Sequence, residues 1–201
     1  MNIGIVVFDG AEELDFVGPW EVLTSSNQVF NWQKKPVPDQ VFTVSETGRT
    51  VRCTKGMRVE TDHSFATCPD LDIILIPGGQ GTRREINNPA MLEFVARQSA
   101  RCTWVTSVCT GSFVLVAAGP AKGKRITTHW AAFPELAVID GVGEMVKDER
   151  YVRDGNVVTS AGVSAGIDMA LWLTGERFGN EHGAMVQKMI QYAPEPPFEV
   201  A

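Results

Sequence analysis

Thr103-Trp104-Val105-Thr106-Ser107-Val108-Cys109-Thr110-Gly111-Ser112 is the stretch that decides the fold. Cys102 to Ser107 reads as a buried strand, and Thr110 to Ala118 reads as a helix closed by Gly119-Pro120. Cys109 stands at the corner between them, with Ser107 and Gly111 two residues away on either side. Small residues there let a strand turn directly into a helix, and such a turn holds the corner side chain in a strained conformation facing out of the sheet.

The same alternation extends outward from this corner. Ile3 to Phe8 and Leu71 to Ile76 read as further buried strands, the second stopped by Pro77-Gly78-Gly79. Leu14 to Leu23 reads as a helix whose Gly18-Pro19 makes an irregular first turn. Val41 to Val44 is a short strand, and Val51 to Val59 reads as a hairpin or a strand leading on. Asn88-Pro89 opens a helix running to about Arg101. Tyr151 to Thr159 is a hairpin with Asp154-Gly155 at its turn, and Ser164 to Phe178 and Glu181 to Tyr192 are closing helices. Continuous apolar strands alternating with helices predict an α/β fold, doubly wound, with a mainly parallel sheet and helices on both faces. Reactive sites in such sheets lie at the carboxyl ends of the strands, so the loops after Ile76 and Ser107 should face one crevice.

That crevice suits sulfur chemistry. The positive end of the following helix and its free N–H groups favour an anion at Cys109, which predicts a depressed thiol pKa. The Thr110 N–H would point at a group bound to the sulfur, and Gly78 and Gly79 can supply further backbone donors. Cys53, Cys68 and Cys102 lack this setting and read as ordinary thiols.

Composition restricts the partners. The 201 residues are 44% hydrophobic and 21% charged, with a net charge of −6 and no basic stripe. This fits one domain over residues 1–201 and argues against nucleic acid and anionic membranes. Asp9 ends the first apolar run too early for a leader segment, and no run reaches the ~18 residues of a membrane span. The four cysteines show no paired spacing for a zinc site or a disulfide framework, so no metal and a reducing, cytoplasmic setting are expected.

Pro77-Gly78-Gly79, Val105 to Gly111 and Thr127-Thr128-His129-Trp130 together resemble the ThiJ/PfpI superfamily, and within it the isocyanide (isonitrile) hydratase branch. Leu14 to Pro19, Gly162 to Asp168, and Tyr192-Ala193-Pro194 before Pro196-Pro197-Phe198 extend the resemblance over nearly the whole chain. It implies a flavodoxin-like three-layer sandwich, a homodimer, a small-molecule substrate and no cofactor. It also implies that Asp15, where much of the superfamily has Glu, is the acidic partner of Cys109. Taken alone, Asp15 reads as an acid at a helix start. His129 and Trp130 are implied to sit near the site, although His129 equally reads as a hydrogen-bonded structural histidine. Val163 is implied to pack near the nucleophile, and it reads equally well as a core valine.

Peptidase-like members carry His directly after the nucleophile, and this chain has Thr110 there, which weakens a protease reading. The resemblance therefore implies a cysteine-dependent hydratase that turns an isocyanide into an N-substituted formamide through a thioimidate. A redox sensor or a glyoxalase or deglycase of the same superfamily stays open, as does a stand-alone relative of the ligand-binding domain of AraC-type regulators. With the sequence ending at Ala201 and no basic face, DNA binding is not expected.

Overall fold

The computed structural model describes residues 1–196 and 198. Pro197, part of the C-terminal motif above, and residues 199–201 lie outside the described residues. In chain order the elements are β1 (Asn2–Val6), α1 (Glu13–Trp32), β2 (Gln40–Ser45), β3 (Val51–Arg52), β4 (Arg58–Val59), β5 (His63–Ser64), β6 (Ile73–Ile76), α2 (Thr82–Glu85) and α3 (Pro89–Ser99). They continue with β7 (Trp104–Val108), α4 (Gly111–Ala118), a 3-10 turn (Trp130–Ala132), α5 (Phe133–Leu136), β8 (Tyr151–Asp154), β9 (Val157–Ser160), α6 (Ala165–Phe178) and α7 (Asn180–Met189).

Seven strands form one sheet in the order β5-β2-β1-β6-β7-β9-β8. Every pair is parallel except the β8–β9 hairpin at one edge. The central strands β1, β6 and β7 are buried on both faces, which is why Ile3–Val6 and Ile73–Ile76 read as apolar runs; β7 is as buried but carries Thr106 and Ser107. Helices α1, α6 and α7 pack on one another against one face, and α3 and α4 pack together over the other. The three-layer arrangement follows, and the strand order reverses beside β1, where the loops after β1, β6 and β7 converge.

Some elements differ from the sequence reading for identifiable reasons. Helix α1 runs nine residues past Leu23, through Thr24-Ser25-Ser26-Asn27-Gln28. That polar run ends the apolar pattern, yet Ser25 and Ser26 are buried, and Ser26 Oγ lies 2.8 Å from His182 Nε2 on α7. Pro19 falls inside the helix, not at its edge. Gly18 beside it lets α6 approach: a Cβ there would sit 2.9 Å from Ile167. The Val51–Val59 segment forms a hairpin of two-residue strands outside the main sheet. The edge strand β5 pairs with β2 over two residues, too short for a pattern to reveal.

One buried ion pair ties the last long helix to the start of the chain. Arg177 on α6 donates to both Asp39 oxygens at 2.6 and 2.7 Å, and the Met1 ammonium lies 3.5 Å from the same carboxylate. Both side chains are nearly inaccessible. Removing one member of such a pair strands the other charge away from water. Arg177→Met should therefore lower the unfolding free energy by about 3 kcal/mol in urea titration; an unchanged midpoint would show that Asp39 relaxes to solvent.

Candidate active site

Cys109 follows the last residue of β7 and precedes α4 by two residues. Its backbone lies in the left-handed region at φ +56°, a conformation that costs a non-glycine residue about 1–2 kcal/mol. The surroundings hold it there. Its N–H donates to Ser160 and Ala161 carbonyls at 3.1 Å, and its own carbonyl accepts from Thr128 Oγ1 at 3.0 Å and Ser112 Oγ at 3.2 Å. Gly111 makes the turn possible, because a Cβ there would run into the Ile76 carbonyl of β6.

Gly78, just beyond β6, is the point where three segments meet. A Cβ at Gly78 would lie 2.6 Å from Thr110 N, 2.8 Å from Asp15 Oδ2 and 2.8 Å from Cys109 Cβ. The bare glycine therefore leaves the Asp15 carboxyl, from the first turn of α1, and the Cys109 side chain facing one another. Gly79 takes φ +118° and wedges against Gly10 and Glu12. The Glu12 N–H donates to the Gly78 carbonyl at 2.9 Å, which fastens the start of α1 to this loop.

Asp15 is fully buried. Its Oδ2 accepts from the Gly78 N–H at 2.8 Å, while Oδ1 has no hydrogen-bond partner among the described residues. Burial pushes its pKa up to about 7, against the pull of the Gly78 N–H, and nearby Glu12 raises it further. Burial likewise pushes the Cys109 thiol up to about 12, assisted by Asp15 and opposed by the Thr110 N–H and hydroxyl. This corrects the depressed thiol expected from the helix N-terminus: the two donors do act on the sulfur, but desolvation and the facing carboxyl outweigh them. Both groups therefore resist ionisation more than they would in water, and the carboxyl ionises before the thiol. Cys53, Cys68 and Cys102 are also raised by burial, and among the described residues no carboxyl group is hydrogen-bonded to any of them.

The backbone donors divide differently from the sequence reading. The Gly78 N–H is taken by Asp15, and the Gly79 N–H donates to Thr110 Oγ1 at 3.0 Å. Neither is free for a substrate atom in this arrangement; the Thr110 N–H, which faces the sulfur, remains. His129 is half-buried, with Nδ1 accepting from the Ala131 N–H at 3.2 Å and its ring packed on Gly162. Trp130 is 80% exposed. Both line a cavity of about 750 Å³ together with Thr128, Ala161 and Gly162; Thr128 and Ala161 hydrogen-bond the Cys109 backbone, but Cys109 and Asp15 do not themselves line it. Val163 does not line it, and its φ of +51° is rare for a β-branched residue.

Sequence reasoning passed over Thr82, Thr128 and Ser160, which position the turn. Thr128 lay within a quoted motif, and its hydroxyl bond to the elbow depends on long-range packing that no local pattern carries.

A family model described as the DJ-1/PfpI family matches residues 1–175. The chain is 40% identical over 200 residues to the isonitrile hydratase of Pseudomonas putida, spanning 99% of this chain and 82% of that one. It is 28% identical over 205 residues to the HTH-type transcriptional regulator GbdR of Pseudomonas aeruginosa, spanning 95% of this chain and 50% of the regulator. Among solved structures, a ThiJ/PfpI family protein from Pseudomonas syringae superposes with a TM-score of 0.87 at 33% identity, over 98% of this chain and 77% of that one.

Two stability measurements follow from this geometry. A carboxyl raised from 3.8 to about 7 stabilises the fold below its unfolded pKa and loses that contribution as pH rises toward 7. Asp15→Asn keeps an acceptor for Gly78 and does not ionise. Its stability relative to wild type should rise between pH 4 and pH 7 by up to about 4 kcal/mol; a flat difference would mean that Asp15 ionises like a surface acid. Cys109→Gly should be more stable than Cys109→Ala by up to about 1 kcal/mol, because glycine tolerates the left-handed backbone. The reverse order in thermal melts would show that the turn stores no strain.

Proposed function

The chain belongs to the DJ-1/PfpI family, and from that premise we propose that it is a cysteine-dependent isocyanide hydratase, with Cys109 as nucleophile and Asp15 as proton carrier. The observation that carries the reading is the buried Asp15 carboxyl facing Cys109 across the gap left by Gly78, with burial raising the pKa of both. The 40% identity to an isonitrile hydratase over nearly the full chain supports the choice of substrate.

The terminal carbon of an isocyanide is both electrophile and lone-pair donor, so it needs a nucleophile and a proton on one atom. The Cys109 sulfur adds to that carbon while the thiol proton passes to Asp15. Asp15 Oδ1, which has no hydrogen-bond partner among the described residues, then returns the proton to the same carbon, giving a thioimidate in which sulfur and nitrogen share a CH group. Water adds to that carbon, and nitrogen takes up one of its protons. The C–S bond then breaks, the remaining O–H proton returns to the pair, and the N-substituted formamide leaves. The sum is isocyanide plus water, with no electrons gained or lost, so the reaction calls for no redox cofactor. The Thr110 N–H stabilises the sulfur as it leaves. The neighbouring cavity, lined by His129, Trp130, Phe133 and Met145 and also by the charged residues 147–150, would take the substituent on nitrogen. We read the protein as a cytoplasmic homodimer.

The likeness to one half of a transcription regulator favours a second reading, in which the same pocket binds a small molecule without turning it over. Turnover separates the two. Purified protein given an aryl isocyanide should produce the formamide, followed by absorbance. Cys109→Ala should fall to background, and Asp15→Asn should lose about a hundredfold or more. The kcat/KM of wild type should drop about tenfold per pH unit below pH 7, as the pair takes a second proton. No turnover of aryl or alkyl isocyanides by folded wild type would sink the hydratase reading and leave the binding module.

A further inference from the structure

Residues of β8, α6 and α7 line a second cleft, of about 530 Å³, which shares no lining residue with the cavity that His129 and Trp130 line. The reaction above does not use it. Part of its lining carries almost no side chain: Gly175 of α6, and Gly183 and Ala184 of α7. A Cβ at Gly183 would lie 3.3 Å from Gly175 Cα, so the two helices meet closely there. Three aromatic residues join that lining: Tyr151 of β8, Trp172 of α6, and Tyr192 just beyond α7. Tyr151 and Trp172 meet with 5.6 Å between ring centroids and 36° between their planes, so the pair is tilted open and not stacked. The Tyr192 segment is tied down by its backbone. Its N–H donates to the Gln187 carbonyl and its carbonyl accepts from the Gln187 amide, both at 3.0 Å.

The charged residues lining this cleft are both acids, Asp168 and Glu176, and no Lys, Arg or His lines it. Each acid pairs with one arginine that stays outside the lining. Arg150 Nε donates to Asp168 Oδ2 at 2.6 Å, and Arg153 Nη1 donates to Glu176 Oε2 at 3.1 Å. The aromatic cluster already holds one cation: the Arg153 guanidinium lies 4.9 Å from the Trp104 ring centroid and 5.7 Å from that of Trp172. Rings and carboxylates with no cation among them suit a positive charge spread over an apolar surface, because such a charge is drawn to ring faces without needing hydrogen bonds. A metal ion would instead demand convergent ligands, and no group of three or more His, Cys, Asp and Glu able to hold one is found among the described residues. We propose that this cleft is a binding site for a small organic cation, a quaternary or alkylated ammonium ion. Its size is that of a small-molecule site. The inference does not depend on the hydratase reading, and its test measures no turnover.

The probe is choline, titrated at constant ionic strength and followed by saturation-transfer NMR of its methyl protons. The control is its uncharged isostere, in which carbon replaces the nitrogen. Choline should saturate a site of about millimolar affinity and bind about tenfold more tightly than the isostere. Tyr192→Ala should weaken choline about fivefold, whereas Tyr192→Phe, which keeps the ring, should hold the wild-type affinity. Glu176→Gln should weaken choline and leave the isostere unchanged. Trp130→Ala should bind choline as wild type does, because Trp130 lines the other cavity. Tyr192 belongs to none of the core clusters, so its replacement tests the site without emptying the core; thermal melts confirm that each variant is folded. Equal affinity for the isostere would reduce the cleft to an apolar groove and overturn the proposal. So would the lack of a saturable choline signal, or wild-type affinity in Tyr192→Ala with binding lost in Trp130→Ala.

Discussion

Everything at this site depends on one missing methyl group. At Gly78 three segments remote in sequence come within bonding distance of a single backbone position: the loop after β6, the first turn of α1 with Asp15, and the elbow with Cys109 and Thr110. Any side chain there would push the carboxyl from the thiol. The sheet order serves this meeting, because β6 lies between β1 and β7 and all three end on the same side. The left-handed backbone at Cys109 is a further cost of the arrangement, offset by hydrogen bonds to Ser160, Ala161, Thr128 and Ser112.

Burial then decides the chemistry. In water the carboxyl would lose its proton readily and the thiol would keep its own, with several pH units between them. In the closed gap both are pushed up, by desolvation first; Glu12 adds to the rise of Asp15 and the Asp15 charge to that of Cys109. The carboxyl reaches the neutral range, where it is a stronger base than an exposed carboxylate and can take the thiol proton as the sulfur bonds to carbon. A more exposed site would leave Asp15 ionised and too weak a base for this task. The fold gives up stability at neutral pH to hold this carboxyl, as functional sites commonly do.

Much of the fold was legible because two of its central strands are buried on both faces and therefore run without polar interruption, from Ile3 and from Ile73 onward. The elbow was legible from the small residues Ser107 and Gly111 around Cys109. Where a tertiary partner satisfies a polar residue, local pattern fails: Ser26 bonds His182 inside a helix that the apolar spacing ends at Leu23. Asp15 looked like any acid at a helix start, and only the family resemblance singled it out. The thiol expectation erred because a helix terminus can be read from spacing, whereas desolvation depends on how many segments close over the sulfur. The Gly78 and Gly79 N–H groups were legible as donors, but their engagement by Asp15 and Thr110 belongs to packing.

The central claim is that Asp15 keeps a proton far above the range of an ordinary carboxyl because burial in the gap facing Cys109 disfavours its charged form. Infrared difference spectroscopy between wild type and Asp15→Asn, titrated from pH 4 to 9, reads this directly through the carbonyl stretch of a protonated carboxylic acid. The account predicts a protonated-acid band, absent from the variant, that persists through pH 6 and disappears with a midpoint near 7. A band already gone at pH 5, with the carboxylate signature in its place, would contradict the raised carboxyl and the mechanism built on it.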